Sequence, residues 1–377
     1  MKKRPLLSNL MYKKVNSPET CPLLRMGRGG LLRKNGFLTY LRWMRGYLIL
    51  LSFYLLPGCV TFESPTIIPP QIVTSTSQDT TKPRLLGVNY LYSIGGQNQE
   101  SKLISQPMGL ALDTTGDIYV TDVGNHCIKV LNPSGDVITI FGGFGWGPGE
   151  FDTPVDVDVN FIRGEFLYVV DSGNDRVQAC SLINRVFGVV AGKKSGEVVG
   201  LDVQPEIQLD APGGIATDRS GSIYIADTGN HRFLKINPHG KLLIAKGSFG
   251  WTREQFREPT DLVVDGNNNI YVVDTGNNRI QKFDFSGNLI AIWGEKGDQP
   301  GQFNEPRYIA KDRWDNIYVV DHGNRRIQVF DSDGEFLTQF SSPALYAPMG
   351  IVISKDNRIY VTDTAAGDIK VFQSVYR

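Results

Sequence analysis

The stretch Ile270-Tyr271-Val272-Val273-Asp274-Thr275-Gly276-Asn277-Asn278-Arg279-Ile280 decides the fold. Its first four residues are apolar on consecutive positions, so a strand here must bury both faces of its sheet. Asp274 to Asn277 then supplies turn chemistry, and Arg279-Ile280 opens a return strand. From Pro107 onward the same unit recurs six times: a proline, a short apolar strand, a polar turn, and an Ile-Tyr-Val-x-Asp strand running into Gly-Asn. The tyrosines are Tyr119, Tyr168, Tyr224, Tyr271, Tyr318 and Tyr360. The aspartates three residues later are Asp122, Asp171, Asp227, Asp274, Asp321 and Asp363, spaced by 49, 56, 47, 47 and 42. Self-similarity at this period predicts a propeller or a solenoid.

Within each unit the strands are separated by turns such as Asp113-Thr-Thr-Gly, Asp218-Arg-Ser-Gly and Asn237-Pro-His-Gly, and no stretch sustains a helical period. Four-stranded antiparallel sheets, each flanked by two others like it, bury both faces of the second strand. Five units continue into a fourth strand: Val137 to Phe141, Val186 to Ala191, Leu242 to Lys246, Leu289 to Trp293 and Phe336 to Phe340. The sixth reaches Arg377 without one. Val88-Asn-Tyr-Leu-Tyr-Ser-Ile-Gly-Gly resembles Val137-Ile-Thr-Ile-Phe-Gly-Gly, and pairing it with the last unit removes two exposed sheet edges. The expected fold is all-β: a six-bladed β-propeller of four-stranded antiparallel blades, closed by an N-terminal strand.

The Pro-x-Gly-x-Ala-x-Asp, Ile-Tyr-Val-x-Asp-x-Gly-Asn-x-Arg-Ile and Gly-x-Phe-x-x-Pro elements resemble NHL repeats, over roughly residues 85 to 377. Cys127 stands where the first blade would carry arginine, and Asp363-Thr-Ala-Ala-Gly-Asp replaces the Gly-Asn-x-Arg turn in the last. Arginine bracing is therefore expected at Arg176, Arg232, Arg279 and Arg326 but not at the seam.

Gly and Pro make up 61 of 377 residues, too dense for a long-helix protein, and 41% hydrophobic content supports a large core. The net charge of zero hides an asymmetry. Residues 1–58 hold eleven Lys or Arg and one acid, which leaves 28 basic and 38 acidic residues downstream. A remainder of about −10 has the wrong sign for general attraction to phosphate backbones, so no nucleic-acid partner is expected. Tyr47 to Leu56 is a ten-residue apolar run behind basic residues, too short to span a bilayer, which needs about 20, and reads as an export signal. Leu56-Pro57-Gly58-Cys59 resembles the lipobox of bacterial lipoproteins, with Pro57 departing from it. That resemblance implies lipidation of Cys59. The expected organisation is a leader over 1–58, with Met26 or Met44 as the true start, a lipid-anchored Pro/Thr/Ser-rich tether over 59–84, and the propeller over 85–377. Val60 after Cys59 is not the Asp of an inner-membrane retention signal, which points to the outer membrane.

The connections from fourth to first strand and from second to third strand emerge on one face. That face gathers Met108, Val155, Asp156, Asp261, Arg307, Tyr308 and Met349 after the prolines, and His126, Asp175, His231, Asn278, His322 and Arg325 in the turns. Binding is expected there. The repeated aspartates are read as turn residues paired with the arginines. His126, His231 and His322 are read as solvated turn residues rather than as a three-histidine site, which would need their side chains to reach inward across the ring; His239 is on the opposite face, and no C-x-x-C or H-E-x-x-H spacing indicates a metal. Asp156 and Asp261 face the channel, where paired carboxylates would hold a cation or, as preferred here, water. Cys180 aligns with core positions, and nothing marks Cys127 as activated. The connection from Lys193 to Ala211 is the longest and is expected to protrude over the same face. Of Phe144, Trp146, Phe151, Trp251, Phe256 and Phe303, most are expected to pack between blades, with one or two tryptophans touching ligand.

The reading is a non-enzymatic extracytoplasmic lipoprotein, without cofactor or catalytic residues, whose loop-rich face binds a protein, peptide or glycan. The alternative, by resemblance to other propellers, is a metal-dependent amidating-lyase-like or lactonase-like enzyme with its site in the central channel. Scarce histidine counts against it. Relatives that bind RNA or belong to ubiquitin ligases suggest roles that the acidic balance and the lack of a cysteine-rich zinc domain disfavour.

Overall fold

Six four-stranded antiparallel sheets make up the described residues, 82–95, 104–160, 166–192, 207–238 and 240–377, of a computed structural model. The leader, Cys59, residues 59–81 of the tether, His239 and residues 193–206 of the long connection lie outside the described residues. Blades 1 to 5 span 107–142, 154–192, 214–246, 259–293 and 306–340, each running consecutively from inner to outer strand. The inner strands are Pro107–Leu112, Pro154–Asn160, Gly214–Thr217, Pro259–Val264, Pro306–Lys311 and Pro348–Ile353. Each lies beside the next, and the last lies beside the first, which closes the ring.

The second strands explain the consecutive apolar pattern: Ile118–Asp122, Ile223–Asp227, Ile270–Asp274 and Ile317–Asp321 are buried at every position. Side chains from one blade pack against those of the next, as where Tyr224 and Phe233 meet Leu262, Val272 and Phe283. In blades 3 and 4 the repeated tyrosine ties this strand to the turn preceding it. Tyr224 Oη donates to Asp218 Oδ2 at 2.9 Å and Tyr271 Oη to Asp265 Oδ2 at 3.0 Å. Burial without such a partner would leave the hydroxyl unsatisfied at a cost of about 1–3 kcal/mol.

Blade 6 is completed from the other end of the propeller. Leu85–Gly95 runs antiparallel to Asp368–Tyr376, in register from Leu85 opposite Tyr376 to Gly95 opposite Asp368, with bulges at Leu85/Gly87 and Tyr90/Tyr92. Tyr90 stacks edge-on against Phe372 at 5.5 Å, and Ile94 is buried. Two further bonds stitch blade 6 to blade 1: Thr362 Oγ1 to the Met108 carbonyl and Thr364 Oγ1 to the Pro107 carbonyl, both 2.7 Å. No helix among the described residues is long and apolar enough to cross a membrane.

Candidate functional site

The loop face is built on the repeated aspartates. Asp171 Oδ2 accepts Arg176 Nε at 2.7 Å and Asn174 Nδ2 at 2.8 Å, and its Oδ1 accepts the Asp152 amide at 2.7 Å. Asp274 and Asp321 repeat this with Arg279, Asn277 and the Arg257 amide, and with Arg326, Asn324 and the Asn304 amide. These carboxylates are structural. Burial raises the Asp171 carboxyl, with the Asn174 and Arg176 bonds opposing the rise.

The seam is braced by other means. Lys129, two residues beyond Cys127 and on the same side of the strand, places Nζ 2.6 Å from Asp122 Oδ2. In blade 6, Asp363 accepts backbone amides from Tyr346, Ala347 and Ala366, while Lys370 pairs with Asp368 at 2.6 Å. Burial pushes the Cys127 thiol up to about 11, with the Asp122 charge adding to it, and burial pushes Cys180 up to about 12. Neither is an activated nucleophile.

Four of the turn residues singled out by sequence share one structural task. Each sits in left-handed backbone with φ between 51° and 54° and accepts a hydrogen bond from the residue before the next blade's proline, or before its equivalent. The pairs are Thr153 N to His126 Nδ1 (3.5 Å), Ala211 N to Asp175 Oδ1 (3.0 Å), Glu258 N to His231 Nδ1 (3.2 Å) and Glu305 N to Asn278 Oδ1 (2.9 Å). The donors themselves have φ of 60°, 42°, 52° and 51°, an uncommon conformation made harder by a following proline. Variation among His, Asp and Asn at these positions therefore preserves an acceptor. His322 differs, with Nδ1 2.9 Å from the Pro348 carbonyl, so that nitrogen carries the proton. Arg325 is exposed, and Met108, Arg307 and Met349 are half-buried. The structure does not bring the histidines together: among the described residues no three His, Cys, Asp or Glu side chains form a metal-binding group.

Asp156, Asp261 and Tyr308 lie beneath the face, all buried. They occupy the second position after the proline, where the remaining blades carry glycine. A Cβ at Gly109 would overlap the Asp156 carboxylate, and one at Gly214 the Asp261 carboxylate, so the glycines make room for the acids. Asp156 Oδ2 accepts the Ile215 amide at 2.8 Å, and Asp261 accepts those of Ile309 at 2.9 Å and Leu262 at 2.7 Å. Each acid thus ties its blade to the inner strand of the next. Tyr308 Oη crosses the ring from blade 5 to the Val155 carbonyl of blade 2 at 2.8 Å. Below this bolt lies a channel cavity of about 230 Å³ lined by Leu110, Asp158, Thr217, Val264, Lys311 and Ile353 among others.

Burial raises the Asp261 carboxyl to about 8, opposed by its two amide bonds. Burial, then the Asp261 charge, raises Asp156 well above the usual range. Because these pKa values exceed the unfolded value, the native state binds more protons between about pH 4 and 8, and stability falls as pH rises through that window. The melting temperature is expected to drop by roughly 3–6 °C between pH 5 and 8.5, counting only one pKa unit at about 1.4 kcal/mol. Asp261→Asn should flatten this slope, and an equal slope in both proteins would contradict the assignment.

The aromatic residues divide cleanly. Phe151, Phe256 and Phe303 are fully buried plugs between blades. Phe144, Trp146, Phe249 and Trp251 are exposed, Trp146 at 65% and Trp251 at 75%. They form two equivalent Phe-Gly-Trp tips on the loops entering blades 2 and 4. Phe144 packs on His126 and Phe249 on His231, each with ring centres 5.0 Å apart. Phe249 and this equivalence escaped the sequence reading, although Phe-Gly-Trp appears twice and was a usable signal.

Three segments, 105–131, 209–236 and 256–283, match the NHL repeat, so the chain carries NHL repeats. Comparison with curated protein sequences found no match. Among solved structures the chain is similar to virginiamycin B lyase from Staphylococcus aureus, at 16% identity and a TM-score of 0.53, over 77% of this chain and 88% of that one. It is also similar to a provisionally named gluconolactonase (12%, TM-score 0.55, 79% and 94%). A chain of a nidogen–laminin complex gives 16% identity and a TM-score of 0.51, over 71% and 98%. At these identities the likeness is one of fold.

Proposed function

We propose that the protein is a non-enzymatic binding scaffold whose loop-rich face holds a protein, peptide or glycan partner. The observation that carries this is the pair of exposed aromatic tips on a face whose channel is bolted by Tyr308. Burial of a large aromatic ring contributes about 1.5–3 kcal/mol, which these rings forgo in the free protein and recover on contact with a partner. The carboxylates of the channel support the same reading, because Asp156 and Asp261 already serve backbone amides and favour their protonated forms. We place the scaffold outside the cytoplasm, anchored through lipid on Cys59, on the strength of the lipobox-like Leu56-Pro57-Gly58-Cys59.

Capture on intact cells with the full chain as bait tests both parts. A partner should be retained by the wild type and lost on Arg307→Glu or Arg325→Glu, and labelled palmitate should enter the wild type but not Cys59→Ala. Equal palmitate incorporation in both would end the anchor. Stoichiometric zinc or calcium in the purified protein, lost in Asp156→Ala and Asp261→Ala, would establish the channel enzyme instead.

A further inference from the structure

The loop entering blade 5 is an internal control for the two aromatic tips. In all three loops the central glycine donates to the plug phenylalanine: Gly145 to Phe151 at 3.2 Å, Gly250 to Phe256 at 3.1 Å and Gly297 to Phe303 at 2.9 Å. In all three the turn asparagine donates back to that glycine's carbonyl at 2.8–2.9 Å, from Asn174, Asn277 and Asn324. An arginine Nη1 fixes the carbonyl of the next residue: Arg176 to Trp146 at 2.6 Å, Arg279 to Trp251 at 2.9 Å and Arg326 to Asp298 at 2.6 Å. The third loop reaches this backbone with Lys296 and Asp298 where the others carry Phe and Trp. The fold therefore does not need the aromatic rings, which are held out on pinned backbone.

What the two tips share indicates what they read. Their flanking charges differ: Glu150 and Asp152 stand beside the first, while Arg253, Glu254, Arg257 and Glu258 cancel at the second, so no net charge is common to both tips for a charged ligand to read. Common to both are an open indole face, a phenylalanine ring and a histidine. His231 accepts a backbone amide at Nδ1, which puts the proton of the neutral ring on Nε2, while His126 Nδ1 lies 3.5 Å from the Thr153 amide and 3.8 Å from Asp152 Oδ1; no described residue engages Nε2 of either ring. Ring faces with N–H donors at their edge suit a neutral molecule with C–H faces and hydroxyl oxygens. Repetition on nonadjacent blades of one rigid surface suits a ligand that itself repeats.

We propose that the two Phe-Gly-Trp tips are a paired stacking site for the sugar rings of a polysaccharide chain. This rests on the reading of the loop face as a binding surface and names its ligand class. The test is retention of the full chain by laminarin, xylan, dextran, alginate and isolated peptidoglycan, in parallel with phosphatidylcholine vesicles. At least one polysaccharide should retain the wild type. Trp146→Ala and Trp251→Ala should each weaken that retention at least fivefold, the double variant should remove it, and Asp298→Ala at the control loop should leave it unchanged. Failure of every polysaccharide to bind, undiminished binding by the double variant, or tryptophan-dependent binding to vesicles alone would overturn the proposal. A cell-captured protein partner that survives the double tryptophan variant but is lost on Arg307→Glu would overturn it too, while leaving the face as a binding surface.

Discussion

Deletion of Leu85–Gly95 is expected to lower the melting temperature by roughly 10–20 °C. The strand contributes Ile94 to the core, packs Leu85 and Val88 against it, and covers the edge of Asp368–Tyr376, where Ile369, Val371 and Phe372 are buried. Burial of three such side chains at about 1.5–3 kcal/mol each amounts to about 4.5–9 kcal/mol, with the lower end applying because Leu85 and Val88 are half-buried, against a total stability of about 5–15 kcal/mol. At about 2–4 °C per kcal/mol for a domain of this size, the shift follows. The truncated protein also exposes a long unpaired edge, so concentration-dependent aggregation should accompany the loss. Ile94→Ala should reproduce a smaller part of it, about 2–5 kcal/mol. An unchanged melting curve for the deletion would mean that the ring does not depend on its N-terminal strand.

The second large effect is expected at Asp171→Ala. Asp171 is fully buried and its partner Arg176 is 2% exposed, so removing the carboxylate strands a guanidinium and the Asp152 amide away from water. Breaking a buried pair by truncating one partner costs about 3–5 kcal/mol. Calorimetry should show this as a drop of roughly 6–20 °C. Because Arg176 also holds the Trp146, Gly147 and Glu150 carbonyls, the first aromatic tip should lose its fixed backbone while the second, held by Arg279, keeps its own. A melting temperature within a degree of wild type would show that the aspartates are not the braces described.

These two sites also show what the sequence disclosed and what it concealed. The repeat of tyrosine and aspartate, the missing fourth strand and its replacement by residues after Val88 were all legible, because strand alternation and turn chemistry are local. The Asp–Arg pairing was legible too, from its fixed spacing of five. The task of Asp156 and Asp261 was not, since their partners Ile215 and Ile309 lie 59 and 48 residues away and meet them only when blades stand side by side. The bolt from Tyr308 to Val155 spans 153 residues and depends on the ring's diameter. Lys129 replacing the absent arginine required knowing that positions 127 and 129 share a sheet face directed at Asp122. The exposed tips became distinct from the plugs only when Lys296 and Asp298 were found on the same backbone.

Hydrogen exchange on the intact chain tests the closed ring most directly. The account predicts slow exchange for the amides of Leu85–Gly95 that pair with Asp368–Tyr376, with protection close to that of the fourth strand in blade 4, Leu289–Trp293. Complete exchange of Leu85–Gly95 within seconds, while blades 1 to 5 stay protected, would contradict it.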